Sequence, residues 1–196
     1  MEDKHLESTH SFDDTYVGKE EFFGHPYKEL QDYFIKYAKK GTLLDLGCGQ
    51  GRDSIFLASL GYKVTAVDNS SVGINQMLKK AKQKGIKIKG MVADVLNLQL
   101  EEKFDIILFD MLLHSFEKSQ QLALLKKYSK NLNKKGIVCI VFPDDMGVDY
   151  FMNILQSLPY KWNLLDEIII KDVPTCPDID EETDYTFTMA IIQFSS

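Results

Sequence analysis

Residues 43–52 read LLDLGCGQGR, and a second apolar run, Ile55–Leu60, follows them. This pattern predicts a buried strand, a tight glycine-rich turn and a buried helix, in that order. Gly47, Gly49 and Gly51 alternate along the turn, where glycine can adopt positive φ and leave room for a ligand that a Cβ would exclude. The helix after the turn points free N–H groups and the positive end of its dipole at that ligand. The stretch therefore predicts a binding loop for a ligand with an anionic or strongly polar end.

The spacing of the glycines narrows the choice of ligand. A dinucleotide fingerprint counted from Gly47 requires a third glycine where Arg52 stands, and a P-loop requires Gly-Lys-Ser/Thr where this loop has Gly51-Arg52-Asp53. Asp45 lies two positions before the first glycine. Its carboxylate would repel a phosphate, but it suits a ligand that carries an ammonium or sulfonium charge.

At these residues the chain resembles the class I S-adenosylmethionine-dependent methyltransferases. The closer resemblance, over Asp45–Leu57 (DLGCGQGRDSIFL) and Gly61–Asp68 (GYKVTAVD), is to the small tellurite-resistance and thiopurine-type members. The resemblance implies S-adenosyl-L-methionine as the cofactor and transfer of its methyl group to a small-molecule acceptor. A soft acceptor that is already nucleophilic, such as a thiolate or a metalloid oxyanion, would need no general base.

The composition limits the kinds of partner. The chain has 196 residues, of which 44% are hydrophobic and 27% charged, as is typical of one globular domain with a single core. Its 23 Lys and Arg against 29 Asp and Glu give a formal charge of −6. Because affinity for a phosphate backbone comes chiefly from basic side chains, nucleic acid is disfavoured as a partner.

The compartment is predicted from the apolar runs and the cysteines. No apolar run approaches the ~18 to 20 residues that span a bilayer, and residues 1–11 form no signal-peptide core. Cys48, Cys139 and Cys176 are scattered without a C-x-x-C pair, which is typical of a reducing compartment and indicates no metal site. We expect a cytoplasmic protein with no membrane partner.

Predicted strands and helices alternate along the chain, which indicates parallel βαβ units with right-handed crossovers. Trp162–Ile170 and Thr183–Phe194 then follow each other with only a loop between them, which predicts an antiparallel hairpin. We therefore expect an α/β fold: a doubly wound seven-stranded sheet, mostly parallel with an antiparallel C-terminal hairpin, Rossmann-like as in the methyltransferases. The predicted parallel strands are 43–46, 63–67, 86–93, 104–109 and 137–142, and the predicted helices cover 27–38, 55–60, 74–81, 122–132 and 148–155.

The chain is predicted to consist of an arm and one domain. Residues 1–24 are expected to form an N-terminal arm or lid, and residues 25–196 a single S-adenosylmethionine-binding methyltransferase domain. The segment Tyr16–Tyr27 either folds over the cofactor and excludes water or packs against the edge of the sheet. Two further segments, 143–147 and 172–184, are expected to line the acceptor pocket.

Four predicted strands end at or near an acid: Asp45, Asp68, Asp94 and Asp110. In an open parallel sheet, ligands bind at the carboxyl ends of the strands. Four carboxylates on one edge would repel each other unless something polar or cationic lies among them. S-adenosylmethionine supplies an ammonium, a sulfonium, two ribose hydroxyls and an exocyclic amine.

The resemblance implies a role for each acid. Asp68 would accept both ribose hydroxyls, Asp94 the adenine amine beside the N–H of Val95, and Asp45 the amino end of the methionine moiety. The plain alternatives are a helix cap for Asp68 and an ordinary loop residue for Asp94. The expected cofactor-binding residues are Asp45, Gly47, Cys48, Gly49, Gly51, Asp68, Asn69, Asp94, Val95, Asp110 and Met111.

The sequence does not decide the roles of two further side chains, those of Arg52 and His114. Arg52 begins a helix, where a cation opposes the dipole, so it binds either an anionic ligand or a neighbouring carboxylate such as Asp53. His114 follows the fourth predicted strand and is the candidate catalytic base, although a lone histidine in such a stretch is more often a packed residue. Cys48 lacks a paired base and is no candidate nucleophile.

Two other classes of protein fit the same residues. A non-catalytic S-adenosylmethionine-binding subunit would keep the acids but lack an acceptor pocket. A dinucleotide-dependent reductase would need the third glycine that Arg52 replaces. Binding of S-adenosylhomocysteine and of NAD distinguishes the reductase from the other two.

Overall fold

The computed structural model describes residues 12–36, 39–171 and 186–195. The predicted pocket segment 172–184, with Cys176, lies outside the described residues, as do residues 1–11 and the predicted helical residues Tyr37 and Ala38. The helices are α1 (Asp13–Tyr16), α2 (Lys28–Lys36), α3 (Arg52–Ser59), α4 (Ser71–Gln83), α5 (Lys118–Ser129) and α6 (Val148–Gln156). The strands are β1 (Thr42–Leu46), β2 (Lys63–Asp68), β3 (Lys89–Val92), β4 (Phe104–Asp110), β5 (Leu132–Pro143), β6 (Lys161–Ile170) and β7 (Phe187–Ser195).

The seven strands form one sheet in the order β3-β2-β1-β4-β5-β7-β6. Strands β1 to β5 are parallel, and β7 pairs antiparallel with both β5 and β6. Strands β2 and β3 lie on one side of β1, and β4 and β5 lie on the other. The strand order therefore changes direction at β1. This arrangement confirms the doubly wound, mostly parallel sheet with its antiparallel C-terminal hairpin.

The core lies on both faces of the sheet, because successive side chains of a strand point to opposite sides. In β1, Leu43 packs on the face covered by α2, α3 and α4, whereas Leu44 packs on the face covered by α5 and α6. In β4, Ile106 and Ile107 divide between the faces in the same way. Burial on both faces explains why these strands read as continuous apolar runs. None of the described helices is long and apolar enough to cross a membrane.

Several predicted boundaries are wrong. Strand β3 begins at Lys89 rather than at Ile86. Helix α5 covers Lys118–Ser129 rather than 122–132. Strand β5 begins at Leu132 rather than at Ile137, and Leu132 pairs with Phe104 of β4. The apolar spacing of the predicted helix 122–132 places Leu122 on one side with Leu125 and Tyr128, but Leu122 is 40% exposed. The face of α5 that packs on the sheet consists of Gln121, Leu124, Leu125, Tyr128 and Ser129.

Candidate functional site

The four predicted acids lie along one edge of the sheet. Asp68 and Asp110 are the last residues of β2 and β4, Asp45 is the last but one of β1, and Asp94 follows β3 by two residues. Because these four strands are parallel neighbours, their carboxyl ends meet at the same edge. The structure thus brings all four acids to the side where open α/β sheets bind ligands.

Asp68 fixes the glycine loop to the start of α4. Its Oδ2 accepts the backbone N–H of Gly49 at 2.8 Å, and its Oδ1 accepts the backbone N–H of Ser70 at 2.8 Å. Burial raises the pKa of Asp68, and these two backbone donors oppose the rise. Each oxygen of a carboxylate can accept a second hydrogen bond, so Asp68 keeps capacity for a ligand. Its neighbour Asn69 is exposed.

The glycine loop is packed closely by the protein itself. Gly49 has φ +52°, and a Cβ there would lie 2.6 Å from the hydroxyl oxygen of Tyr16. Gly51 has φ +78°, and a Cβ there would overlap the side chain of Met77. Glycine at these positions therefore satisfies the backbone conformation and internal packing, and the approach of a ligand to the loop stays a prediction.

A buried ionic cluster lies between β1, α3 and β4. The guanidinium of Arg52 binds Asp53, with Nη2–Oδ2 at 2.9 Å, and also binds Oδ2 of Asp110. Asp45, 2% exposed, accepts a hydrogen bond of 2.6 Å from the hydroxyl of Ser54. The ring of Tyr27 covers the guanidinium, with 4.2 Å from Cζ to the ring centroid. Arg52 is thus held by neighbouring carboxylates, which was one of its two predicted roles.

The cluster has more acid than base. Burial raises the pKa of Asp45 to about 7, and the nearby carboxylate of Asp53 adds to the rise. Burial also holds the pKa of Asp110 well above its usual range, with Asp53 adding to the rise and Arg52 opposing it. Oδ1 of Asp110 is buried and accepts no hydrogen bond from any described residue. A buried acceptor without a donor is costly, so this oxygen is a candidate contact for a polar or cationic ligand.

Asp94 and Val95 form a turn that α5 holds in place. Oδ1 of Asp94 accepts the N–H of Leu96 at 2.8 Å, which is the ordinary turn role named as an alternative for this residue. The carbonyl oxygen of Val95 accepts the hydroxyl of Tyr128 at 2.7 Å and the ammonium of Lys127 at 3.1 Å. Burial lowers the pKa of Lys127, and Asp94 opposes the fall. The contacts from α5 were not predicted, because the sequence indicated only that Tyr128 belongs to the apolar residues of the predicted helix 122–132.

The segment after β4 begins with an unusual backbone conformation. Met111 has φ +47°, although it is not glycine, and its N–H donates to the carbonyl of Val141 at 3.0 Å. His114 follows in a short 3-10 turn and is exposed, with Nε2 3.5 Å from the hydroxyl oxygen of Ser115. The protein around the ring partly removes it from water and so lowers the pKa of His114, and Asp145 opposes the fall. The imidazole is therefore neutral at neutral pH and can accept a proton.

Cys48 contributes no reactive thiolate. Cys48 is half-buried, and removal of its thiol from water raises its pKa well above the usual value, with Asp45 and Asp68 adding to the rise. This agrees with its exclusion as a nucleophile.

Asp13, in the N-terminal arm, caps helix α4. Its Oδ1 accepts the hydroxyl of Ser70 at 2.5 Å and the backbone N–H of Val72 at 3.0 Å. Helix α4 has no acidic residue of its own in its first turn. An acid at a helix N-terminus is favourable, and here the arm supplies it from 57 residues away.

Gln50 ties the same arm to the glycine loop. Its Oε1 accepts the backbone N–H of Phe22 at 2.8 Å, and its Nε2 donates to the carbonyl of Lys19 at 2.7 Å. Gln76 of α4 donates to the carbonyl of Tyr16 at 2.9 Å. Residues 12–24 therefore rest on the glycine loop and on α4. Neither glutamine was predicted to have a role.

The chain is similar in sequence to known proteins. A family model described as tellurite resistance protein TehB matches residues 15–167. The probable S-adenosyl-L-methionine-dependent methyltransferase TehB of Haemophilus influenzae is 27% identical over 175 residues, which cover 82% of this chain and 60% of that protein. The chain thus spans about 60% of the length of this curated relative.

Two solved structures share the fold. One, from work on the conversion of a disulfide bond into a thioacetal group during echinomycin biosynthesis, superposes with a TM-score of 0.77 at 24% identity, covering 94% of this chain and 91% of that one. The other is the N-methyltransferase NodS from Bradyrhizobium japonicum WM9 in complex with S-adenosyl-L-homocysteine. It superposes with a TM-score of 0.74 at 15% identity, covering 93% of this chain and 96% of that one.

Proposed function

The chain belongs to the family described as tellurite resistance protein TehB, and on that premise we propose that it is a methyltransferase that binds S-adenosylmethionine and methylates a small molecule. The observation that carries the proposal is the arrangement at Asp68. This carboxylate ends β2, holds the glycine loop through Gly49, and keeps acceptor capacity at the edge where a ligand binds.

The residues along the edge fit the chemical groups of this cofactor. Asp68 can accept hydrogen bonds from two vicinal hydroxyls, and Oδ1 of Asp110, which has no donor among the described residues, can bind a cationic group. The turn at Asp94 and Val95 can meet a purine amine and ring nitrogen. When bound, the cofactor supplies an electrophilic methyl group on its sulfonium.

We propose that all the residues predicted from the sequence to bind the cofactor do so. Asp45 acts within the buried cluster beside Ser54, and Asn69 flanks Asp68 at the exposed end. We assign to the cofactor Asp45, Gly47, Cys48, Gly49, Gly51, Asp68, Asn69, Asp94, Val95, Asp110 and Met111.

The protein's own contribution to the reaction is orientation and the exclusion of water. Methyl transfer is an in-line displacement, for which holding the reactants in line is worth more than acid–base assistance. Residues 12–24 rest on the glycine loop, so we propose that they act as a lid over residues 25–196. His114 serves as a base only for an acceptor that must lose a proton.

The acceptor that we propose is a soft nucleophile, a thiol or a metalloid oxyanion. Carboxylates dominate the described part of this edge, and Arg52 is already paired with Asp53 and Asp110. An acidic surface disfavours an anion relative to a neutral molecule. The charge distribution therefore favours a neutral thiol over the oxyanion.

Calorimetric titration with S-adenosylhomocysteine tests the cofactor, with NAD as the control ligand. We expect micromolar binding of S-adenosylhomocysteine and no heat with NAD; the reverse would point to a reductase. Transfer of radiolabelled methyl groups to a panel of thiols, metalloid anions and amines then tests the reaction. Binding without turnover on any acceptor would instead indicate a non-catalytic subunit.

A further inference from the structure

The buried ionic cluster around Arg52 has an unequal charge. The carboxylates of Asp53 and Asp110 bind the guanidinium of Arg52, and these three side chains are 8%, 6% and 14% exposed. Asp45, 2% exposed, lies close enough for the charges of Asp53 and Arg52 to act on its pKa. If every group were ionised, two negative charges would be uncompensated in the interior. Since burial strongly disfavours unpaired charge, the cluster holds at least one proton when nothing cationic lies beside it.

The groups around the cluster do not restore the balance. The other titratable side chains that act on it are those of Tyr27 before α2, Cys48 in the glycine loop, Asp68 at the end of β2 and Cys139 on β5. All four are acids, so none carries a positive charge. Burial lowers the pKa of Arg52, but Asp53 and Asp110 more than offset this, and the guanidinium stays charged.

One buried oxygen of the cluster has no hydrogen-bond donor among the described residues. Oδ2 of Asp110 binds Arg52, whereas Oδ1 accepts no hydrogen bond from the described residues. Asp110 ends β4 at the same edge as Asp68, where we place the cofactor. A cationic group beside Oδ1 would supply the missing positive charge.

We propose that this cluster keeps a proton in the cofactor-free protein and releases it to solvent when a cationic group of S-adenosylmethionine binds beside Asp110. The inference rests on the proposed function. A neighbouring cation favours the ionised form of a carboxylate, so binding and deprotonation support each other. By linkage, release of one proton makes the affinity rise about tenfold for each pH unit over the range in which the free cluster is protonated.

S-adenosylmethionine has two candidate cations, its ammonium and its sulfonium. S-adenosylhomocysteine keeps the ammonium and lacks the sulfonium, and methylthioadenosine lacks both charges. Comparing the three ligands therefore identifies the group that acts on the cluster.

The test is calorimetry of each ligand near neutral pH in two buffers with different ionisation enthalpies, because the difference in heat counts protons. We expect about one proton released per S-adenosylmethionine bound. Asp110→Asn should lose that release and flatten the rise of affinity with pH. The ligand's own amino group titrates near pH ~8 in both proteins, so the difference between them isolates the cluster.

Two other variants make the test specific. Asp149→Asn changes an exposed carboxylate on α6 and should release as many protons as the unchanged protein. Asp53→Asn removes a different acid of the cluster and should reduce the release, which keeps the proposal testable if Asp110→Asn folds poorly.

The outcomes separate cleanly. Release with both S-adenosyl ligands but not with methylthioadenosine supports the proposal with the ammonium as the cation. Release with S-adenosylmethionine alone supports it with the sulfonium. Binding without proton release, or equal release by Asp110→Asn or by methylthioadenosine, overturns the inference and leaves the proposed function intact. No binding of S-adenosylmethionine overturns both.

Discussion

The carboxylate of Asp68 accepts the backbone N–H of Gly49 at 2.8 Å, so the end of β2 and the glycine loop are joined by a charge-assisted hydrogen bond. Asp68→Ala removes this bond and the acceptors that we assign to the ribose hydroxyls. We expect binding of S-adenosylhomocysteine to weaken by about 1.5 to 3 kcal/mol, measured by calorimetry. Asp166→Ala, at an exposed position of β6, is the control. Unchanged affinity in Asp68→Ala would refute the ribose assignment.

The turn at Asp94 and Val95 is held from α5 by a single buried hydroxyl and an ammonium. Tyr128→Phe leaves the carbonyl of Val95 without its 2.7 Å donor. We expect a loss of about 1 kcal/mol in the free energy of unfolding and weaker binding of S-adenosylhomocysteine. Tyr150→Phe removes a similar bond, 2.8 Å to Gln121, away from the turn. Equal affinities of the two variants for the ligand would show that the turn takes no part in binding.

His114 is the candidate base, and its role depends on the acceptor. His114→Ala should leave the affinity for S-adenosylhomocysteine unchanged, because the side chain is exposed and its described hydrogen-bonding neighbour is Ser115. With an acceptor that is already deprotonated, such as a thiolate or a metalloid oxyanion, we expect turnover within about tenfold of the unchanged protein, since general base catalysis typically contributes about 10² to 10⁴ where it operates. Steady-state methylation rates check this, and a larger loss would place His114 in the reaction.

The arm should open when its cap on α4 is removed. Asp13→Ala loses the bonds to Ser70 and Val72, which we expect to cost about 1 kcal/mol and to speed tryptic cleavage at the exposed Lys19 by roughly fivefold. Asp14→Ala, an exposed acid in the same helix, is the matched control and should be cut at the original rate. If residues 12–24 form a lid, Asp13→Ala should also bind S-adenosylhomocysteine more weakly. An unchanged affinity would separate the arm from the cofactor.

At the opposite edge of the sheet, Asp105 should make stability depend on pH. Burial alone would raise the pKa of Asp105, but hydrogen bonds from Thr42 and Asn133 bring it below its usual value. Such a group stabilises the protein above its unfolded pKa of about 3.9, and the contribution fades as the pH falls through the lower folded value. We expect Asp105→Asn to cost about 1 kcal/mol at neutral pH, with a smaller difference in acid.

Urea unfolding at neutral pH and at the lowest pH that preserves the fold would measure this effect. Asp32→Asn is the control, because its ion pair with Lys28 is exposed and worth little. A penalty for Asp105→Asn that does not change with pH would contradict the assignment.

The fold could be predicted because its strands are buried on both faces and therefore read as apolar runs. The boundary between α5 and β5 could not be predicted, since the apolar periodicity of α5 continues through Leu132. In the structure Leu132 pairs instead with Phe104 of β4. Strand pairing depends on residues that are distant in the sequence, and the local propensity of a segment carries no information about those residues.

The edge of acids could also be predicted, because parallel strands end on one side. The side chains that contact those acids could not be predicted. Arg52 meets Asp110 across 58 residues, and which of its two predicted roles holds depends on the approach of β4. One weak feature of the sequence indicated that α4 is capped from elsewhere, as it is by Asp13: the first turn of α4 has no acidic residue.

Met111 keeps a left-handed backbone at φ +47°, a conformation that costs an ordinary side chain roughly 1 to 2 kcal/mol. Glycine at this position would relieve the strain without disturbing the strand, so a protein selected for stability at high temperature would gain from Met111→Gly. It would also loosen the segment that leads to His114. We therefore expect relatives from thermophilic organisms to have either glycine or a strained side chain at this position.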